Sequence, residues 1–380
     1  MKLLGKKHIF LGNVLDFILF FLKPLIYLKI RLRNFLSFSY SDSIAIIDLH
    51  LLGDLVITAS LLRAVRKSHP TSNIILIAGK WAEILYRQQD LYDIFVPCSV
   101  YWVDRSVGVL STIYSTLSTI KQLRDLKVKT IIDVRGDFRN ILIAFFSGAH
   151  SIIGFKFGGG GALLTQTVGD DGELKHLFTH HMNLFNSIAG TKDGFEPPYF
   201  KKSKSDEINL KNSKMLLGIH FGASRQIREL PDDLHFELLS LITQIWPNKI
   251  RYYMDPSHPT DRSKLHFFLE SRHAELWSGS LREFIDSLSD LDMLICLDSG
   301  PAHIATALNI KTLVIYGPNL SKYVSPVGVN VDFIEPHSQH ECRPCRVSKC
   351  NFNKICYYDS VRQNMDKIRN FLLFEKAKND

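Results

Sequence analysis

The sequence predicts an α/β protein of two tandem domains, each a parallel sheet covered by helices on both faces. Two patterns carry this expectation. From residue 44 onward, short β-branched runs alternate with stretches whose apolar residues recur at helical spacing. At residues 191–214, "TKDGFEPPYFKKSKSDEINLKNSK", the alternation stops in a polar stretch with a proline pair, then begins again. A chain of 380 residues is long enough for each half to bury its own core. The predicted parts are an N-terminal extension 1–43, a first domain 44–205, a second domain 206–360 and a C-terminal helix 361–380.

The extension comes first. Seven Lys or Arg residues stand against the single acid Asp16 in residues 1–35, giving +6 of the formal net charge of +8. The basicity is therefore local, which argues against a nucleic-acid surface. A membrane span needs about 20 nearly uncharged apolar residues, and Asp16, Lys23 and Pro24 interrupt this stretch. No small-residue cleavage site follows it. An amphipathic segment lying on a membrane surface fits these residues, as does an extra helix packed on the protein body.

In the first domain, the runs at 44–49, 73–79, 93–97, 129–134 and 151–155 read as buried strands. The first is followed by "HLLGDLVITASLLRAVRKSHP", where Gly53 and Asp54 open a helix. A carboxylate at a strand-to-helix turn opposes the anion such turns commonly bind, so Asp54 is either a helix cap or a base facing a substrate. "GGGGALL" at 158–164 reads as a flexible loop. In the second domain, strands are expected at 215–221, 250–254, 292–299 and 312–317, with a helix over 232–246. No strand is followed by G-x-G-x-x-G, and the G-x-x-x-x-G-K-[ST] pattern is absent from the sequence.

Two turns in this half suit a diphosphate. In "LDSGPAHIATAL", Asp298, Ser299, Gly300 and Pro301 lead from a strand into a helix whose first amides can seat phosphate, with His303 on the first turn. In "GIHFGASRQIRELPDD", small residues precede Ser224, Arg225 and Arg228, and guanidinium groups hold phosphate oxygens bidentately. Either stretch alone is equally a capped helix or a solvated loop.

Together these stretches, with "SGSLREFIDSLSDLDMLICLDSGPAHIATAL" and "TLVIYGP", resemble the heptosyltransferase-type glycosyltransferases of family 9 from about residue 44 to 360. The resemblance implies a GT-B fold of two Rossmann-like domains facing a cleft. It implies an inverting, metal-independent transfer from a nucleotide-diphosphate sugar, ADP-heptose above all, to a lipopolysaccharide core or related glycolipid. Asp54 maps to the family's catalytic base. Gly53 and the Arg135 and Arg139 of "IIDVRGDFRN" fall on the acceptor side, although both arginines could equally pair with Asp133 or Asp137. Arg228 stands where the family often has lysine, and Leu230-Pro231 where it has Trp-Pro. The implied location is the cytoplasmic face of a bacterial inner membrane. Glycosylation of a protein acceptor and a non-catalytic nucleotide-sugar-binding scaffold are the alternatives.

The cysteines divide in two. Cys98 and Cys296 lie in apolar runs and read as small buried hydrophobes. Cys342, Cys345, Cys350 and Cys356 are spaced C-x2-C-x4-C-x5-C, which suits a structural zinc or iron in a reducing compartment, or four free thiols.

Overall fold

The computed structural model describes residues 40–169, 175–202, 215–254 and 262–373, apart from 271, 273, 339, 346 and 348, together with residues 14, 16, 17 and 21. Most of the predicted extension, and residues 203–214 of the expected linker, lie outside the described residues. The chain forms two compact units, Met1–Glu196 and Pro197–Asp380.

In the first unit, strands β1 (Ser43–Asp48), β2 (Asn73–Ala78), β3 (Ile94–Pro97), β4 (Thr130–Asp133), β5 (Ser151–Gly154) and β6 (Gln166–Thr167) form one sheet in the order β3-β2-β1-β4-β5-β6. Every pairing is parallel. Helices α1 (Leu52–Ser68), α2 (Trp81–Leu85), α3 (Val109–Asp125), α4 (Phe138–Ser147) and α5 (Leu177–Ala189) cover it. All six residues of β1 are buried. Such a strand needs apolar side chains on both faces, which is why "SIAIID" is a run and not an alternation.

The second unit repeats the plan. Strands β7 (Leu216–His220), β8 (Lys249–Tyr253), β9 (Ala274–Trp277), β10 (Met293–Leu297), β11 (Lys311–Ile315) and β12 (Val331–Ile334) are ordered β12-β11-β10-β7-β8-β9. Read from its own first strand, this is the order of the first sheet. Its helices are α6 (Asp232–Ile245), α7 (Arg262–Glu270), α8 (Leu281–Leu288), α9 (Gly300–Ala307), α10 (Ser321–Val324), α11 (Ile355–Arg362) and α12 (Met365–Leu373). Ser280 and Glu283 start α8 with a reciprocal capping box.

Two expectations change. The C-terminal helix is two helices, and Ile368, Phe371 and Leu372 of α12 join the core of the second unit. The glycine run is no flexible loop: Gly158, Gly159 and Gly160 are buried, and the Gly158 amide donates to the Gly136 carbonyl over 2.8 Å. The Gly160 amide donates over 2.8 Å to the carboxylate of Asp16, so at this point the extension touches the first unit. Among the described residues, no helix is long and apolar enough to cross a membrane.

Candidate active site

Doubly wound sheets place ligands where the strand order reverses, outside the carboxyl ends of the two strands that flank the reversal. In the first unit these are β1 and β4, and in the second β7 and β10. The residues singled out from sequence follow these four strands.

After β1, the chain runs through His50 into α1, whose N-cap is Leu51. Asp54 is therefore not the cap but a first-turn acid, where the helix dipole favours a negative charge. Its two oxygens meet different partners. His50 Nδ1 lies 2.7 Å from Oδ2, and the Arg135 guanidinium lies 3.4 Å from Oδ1. Asp54 and His50 are 30% and 29% exposed, so the pair stays open to a ligand. The Trp81 indole N–H donates to the His50 carbonyl over 3.0 Å and fixes the approach to the helix.

Beneath them lies a buried charged layer. Asp48 ends β1 and accepts from the Thr58 hydroxyl over 2.6 Å, and burial raises its pKa above the usual carboxylate value. Asp133 ends β4 and accepts from the Asn140 amide over 3.0 Å. Burial pushes this carboxyl up to about 7. His181, on α5, is buried, and burial with the nearby Arg135 charge brings its pKa down to about 3. Gly136 turns the chain after β4 at φ +66°, and a Cβ there would come within 2.8 Å of the Phe155 carbonyl oxygen.

The two arginines of "IIDVRGDFRN" part ways. Arg135 reaches Asp54, whereas Arg139 grips Asp137 through Nε at 2.9 Å and through a second guanidinium contact. Arg139 also stacks on the Trp102 ring at 4.3 Å. Asp137 is itself the N-cap of α4, so Arg139 serves the helix start.

In the second unit, β7 leads into buried Phe221, Gly222 and Ala223, then exposed Ser224 and Arg225 and half-buried Arg228. A brace of C-terminal residues shapes this loop. Lys354 Nζ donates to the carbonyls of Gln226 and Glu229, both at 2.8 Å, and the Tyr357 hydroxyl donates to the Arg228 carbonyl. Arg225 donates to the Val347 carbonyl over 3.2 Å. After β10, buried Asp298 accepts from the Asn319 amide, and Ser299 is the N-cap of α9. The Ser299 hydroxyl donates back to the Leu297 carbonyl over 3.2 Å and does not cap the helix through its side chain. Gly300, Pro301 and buried His303 form the opening turns of α9, which present N–H groups and the positive end of the helix dipole.

The expected metal site is corrected. Among the described residues, no group of three His, Cys, Asp or Glu is arranged to hold a metal ion. Cys342 is exposed, Cys345 and Cys350 are half-buried, and Cys356 is buried. The Cys350 sulfur accepts the Phe352 and Lys354 amides at 3.4 and 3.3 Å. Burial raises the Cys356 thiol to about 11. The segment braces the β7 loop instead.

His50, Asn319 and Lys354 were not singled out from sequence. His50 lies just before the N-cap of α1, outside the helix, so no helical spacing announced its contact with Asp54. Asn319 and Lys354 gave no signal either, since each acts through a contact remote in sequence.

Residues 116–356 match the sequence profile of glycosyltransferase family 9 (heptosyltransferase). The chain belongs to this family. Asp54 and His50 precede the matched residues. Lipooligosaccharide heptosyltransferase 2 of Campylobacter jejuni is 25% identical over 182 residues, covering 47% of this chain and 56% of that protein. The match thus spans little more than half of that relative. Two solved structures share the fold. A family 9 glycosyltransferase from Veillonella parvula has a TM-score of 0.70 at 15% identity, covering 89% of this chain and 99% of that one. Heptosyltransferase WaaC of E. coli, solved with ADP, has a TM-score of 0.64 at 14% identity, covering 86% and 99%. The fold of this family 9 member is the GT-B type, built from two Rossmann-like α/β units.

Proposed function

We propose that this family 9 protein is an inverting heptosyltransferase that moves the sugar of ADP-heptose onto the core of a lipopolysaccharide or related glycolipid. The observation that carries the reading is Asp54, placed at the reversal of the first sheet with one oxygen toward Arg135 and the other toward His50. Arg135 balances the carboxylate charge, and His50 orients it. The acceptor hydroxyl oxygen forms the new bond to the anomeric carbon while its proton passes to Asp54. The bond from that carbon to the donor phosphate breaks on the opposite face, and its electron pair stays with the diphosphate. Gly53 lets the acceptor approach the backbone beside the carboxylate.

The second unit supplies the donor half. Arg225 and Arg228, together with Ser224, Asp298, Ser299, Gly300 and His303, bind the departing diphosphate through guanidinium groups and the α9 N-terminus. These positive groups supply the charge that a divalent ion supplies in metal-dependent transferases, which supports a transfer without a catalytic metal. Two names support the sugar and nucleotide: the Campylobacter relative is a lipooligosaccharide heptosyltransferase, and the E. coli structure holds ADP. The basic, apolar residues 1–43 suit attachment to the cytoplasmic face of the membrane where such an acceptor resides.

The deciding experiment is a mass-spectrometric assay of purified protein with ADP-heptose and a panel of acceptors: truncated core glycolipids and unglycosylated proteins. Transfer to glycolipid in EDTA is expected. Turnover that stops at once in EDTA and returns with Mg²⁺ would refute the metal-free route, and transfer to protein alone would replace the acceptor.

A further inference from the structure

Helix α3 is apolar on the wrong side. Its buried residues are Thr112, Thr119 and Leu123. Val109, Leu110, Ile113, Tyr114 and Leu117 face solvent, from 51% to 82% exposed. Positions 109, 113 and 117 form one ridge at four-residue spacing, and 110 and 114 form the next. The inner side is held by polar bonds in its first half, where the Tyr101 and Ser99 amides donate to Thr112 and Ser115, each over 2.9 Å, and by Ile120 and Leu123 packing on the core in its second. A surface helix ordinarily turns its apolar stripe inward. Contiguous exposed apolar residues of this size mark a surface that binds something.

The surrounding charge narrows the occupant. In the next turns of the same face Lys121 and Arg124 are exposed, Arg105 precedes the helix, and Lys127 and Lys129 follow it; against these basic residues stand exposed Asp125 and half-buried Asp104. Arg124 also donates to the carbonyl of Phe146, which extends the apolar surface onto α4. A second copy of the chain would bring the same excess of basic residues, so the counter-charge has to come from elsewhere. The extension, exposing Phe17 and Phe21, approaches the other side of α4: Asp16 holds the Gly160 amide, and Gly160 sits against Phe138 and Ile141.

We infer that the outer face of α3 is a membrane-docking surface, which inserts Leu110, Ile113, Tyr114 and Leu117 into an anionic bilayer while Lys121 and Arg124 meet the headgroups. Tyrosine suits the headgroup boundary, and basic residues beside inserted apolar ones make binding depend on anionic lipid. This goes beyond attachment through residues 1–43, because it fixes which side of the first unit faces the lipid. It does not depend on the identity of sugar or acceptor.

The test uses the full chain carrying Tyr114→Trp and vesicles of phosphatidylethanolamine with phosphatidylglycerol, against vesicles of phosphatidylcholine. Fluorescence quenching by lipids brominated on their tails, in excess of that of the parent protein, is expected in the anionic vesicles and not in the neutral ones. Leu110→Ser with Leu117→Ser, both at exposed positions, should weaken vesicle binding by about tenfold or more. If the protein sediments with vesicles but the added tryptophan is not quenched, residues 1–43 alone make the attachment and the inference fails. It fails also if the double variant changes the mass in solution and not vesicle binding, since α3 would then join copies of the chain.

Discussion

The two units share one strand order and differ in what they place at its reversal. At the end of β1 and β4 the first unit gathers Asp48, Asp54, Asp133, Arg135, His50 and His181, several buried and pressed away from their usual pKa values. At the end of β7 and β10 the second offers small residues, an arginine loop and a helix start. In the proposed reaction the first arrangement handles a proton, and the second receives an anion. Topology sets where chemistry happens, and the short loops after four strands decide which chemistry it is.

The sharpest way to break this division is Asp54→Asn. Transfer should fall by about 10²–10⁴ while ADP affinity measured by calorimetry stays within a few-fold, because the proposed role of the lost group is that of a base and not of a donor ligand. Equal loss of ADP binding would end the division of labour.

The buried layer gives the next effect. The folded pKa of Asp133 lies at about 7, above its unfolded value, so the native state binds the extra proton. The stability this contributes is full below about pH 4 and is lost as pH rises to 7, a change of roughly 4 kcal/mol at most. His181, lowered to about 3, acts oppositely: its stabilisation holds above about pH 6.5 and is lost as pH falls toward 3. Urea unfolding of Asp133→Asn should gain on the parent protein as pH rises from 4 to 7. A pH-independent difference would mean that Asp133 does not change protonation on folding.

On the donor side, Arg228→Ala should raise the Kd for ADP about tenfold to a hundredfold with a smaller effect on turnover of bound substrate. Unchanged affinity would move the phosphate seat elsewhere. The smallest effect sharpens the comparison within the first unit. His50→Ala should lower kcat several-fold and alter the pH–rate profile, while His50→Gln, which can still donate to Asp54, should recover part of the rate. Identical rates and pH profiles for both variants would leave His50 without a part in orienting the base.

Much of this plan was legible because fully buried strands leave unmistakable runs. "IAIIDL", "MLLGIHF" and "DMLICLDS" lie within one or two residues of β1, β7 and β10, and the catalytic candidates sit just past such runs. β9 and β12 were missed, since "AELW" and "VDFI" are edge strands, half-exposed and short. The break between α11 and α12 was hidden because Gln363 and Asn364 carry no proline or glycine to announce it. Cysteine spacing pointed to a metal, but spacing does not report where the sulfurs face. The position of Arg139 was open in sequence because its two partners, a ligand or Asp137, differ in nothing that a linear pattern records.

The brace on the β7 loop also bears on the order in which the molecule assembles. Lys354 and Tyr357 secure Gln226, Arg228 and Glu229 across 125 to 129 positions of chain. During synthesis the arginine loop emerges long before the residues that hold it, and closing so wide a loop is an entropic step that local structure cannot prepay. Until α11 arrives, β7 and its neighbours can pair while the carbonyls of 226–229 remain bonded to water. The β7 loop, the proposed donor seat, is thus among the last parts of the second unit to take shape, and a nascent chain acquires its sheet before this loop acquires its final form.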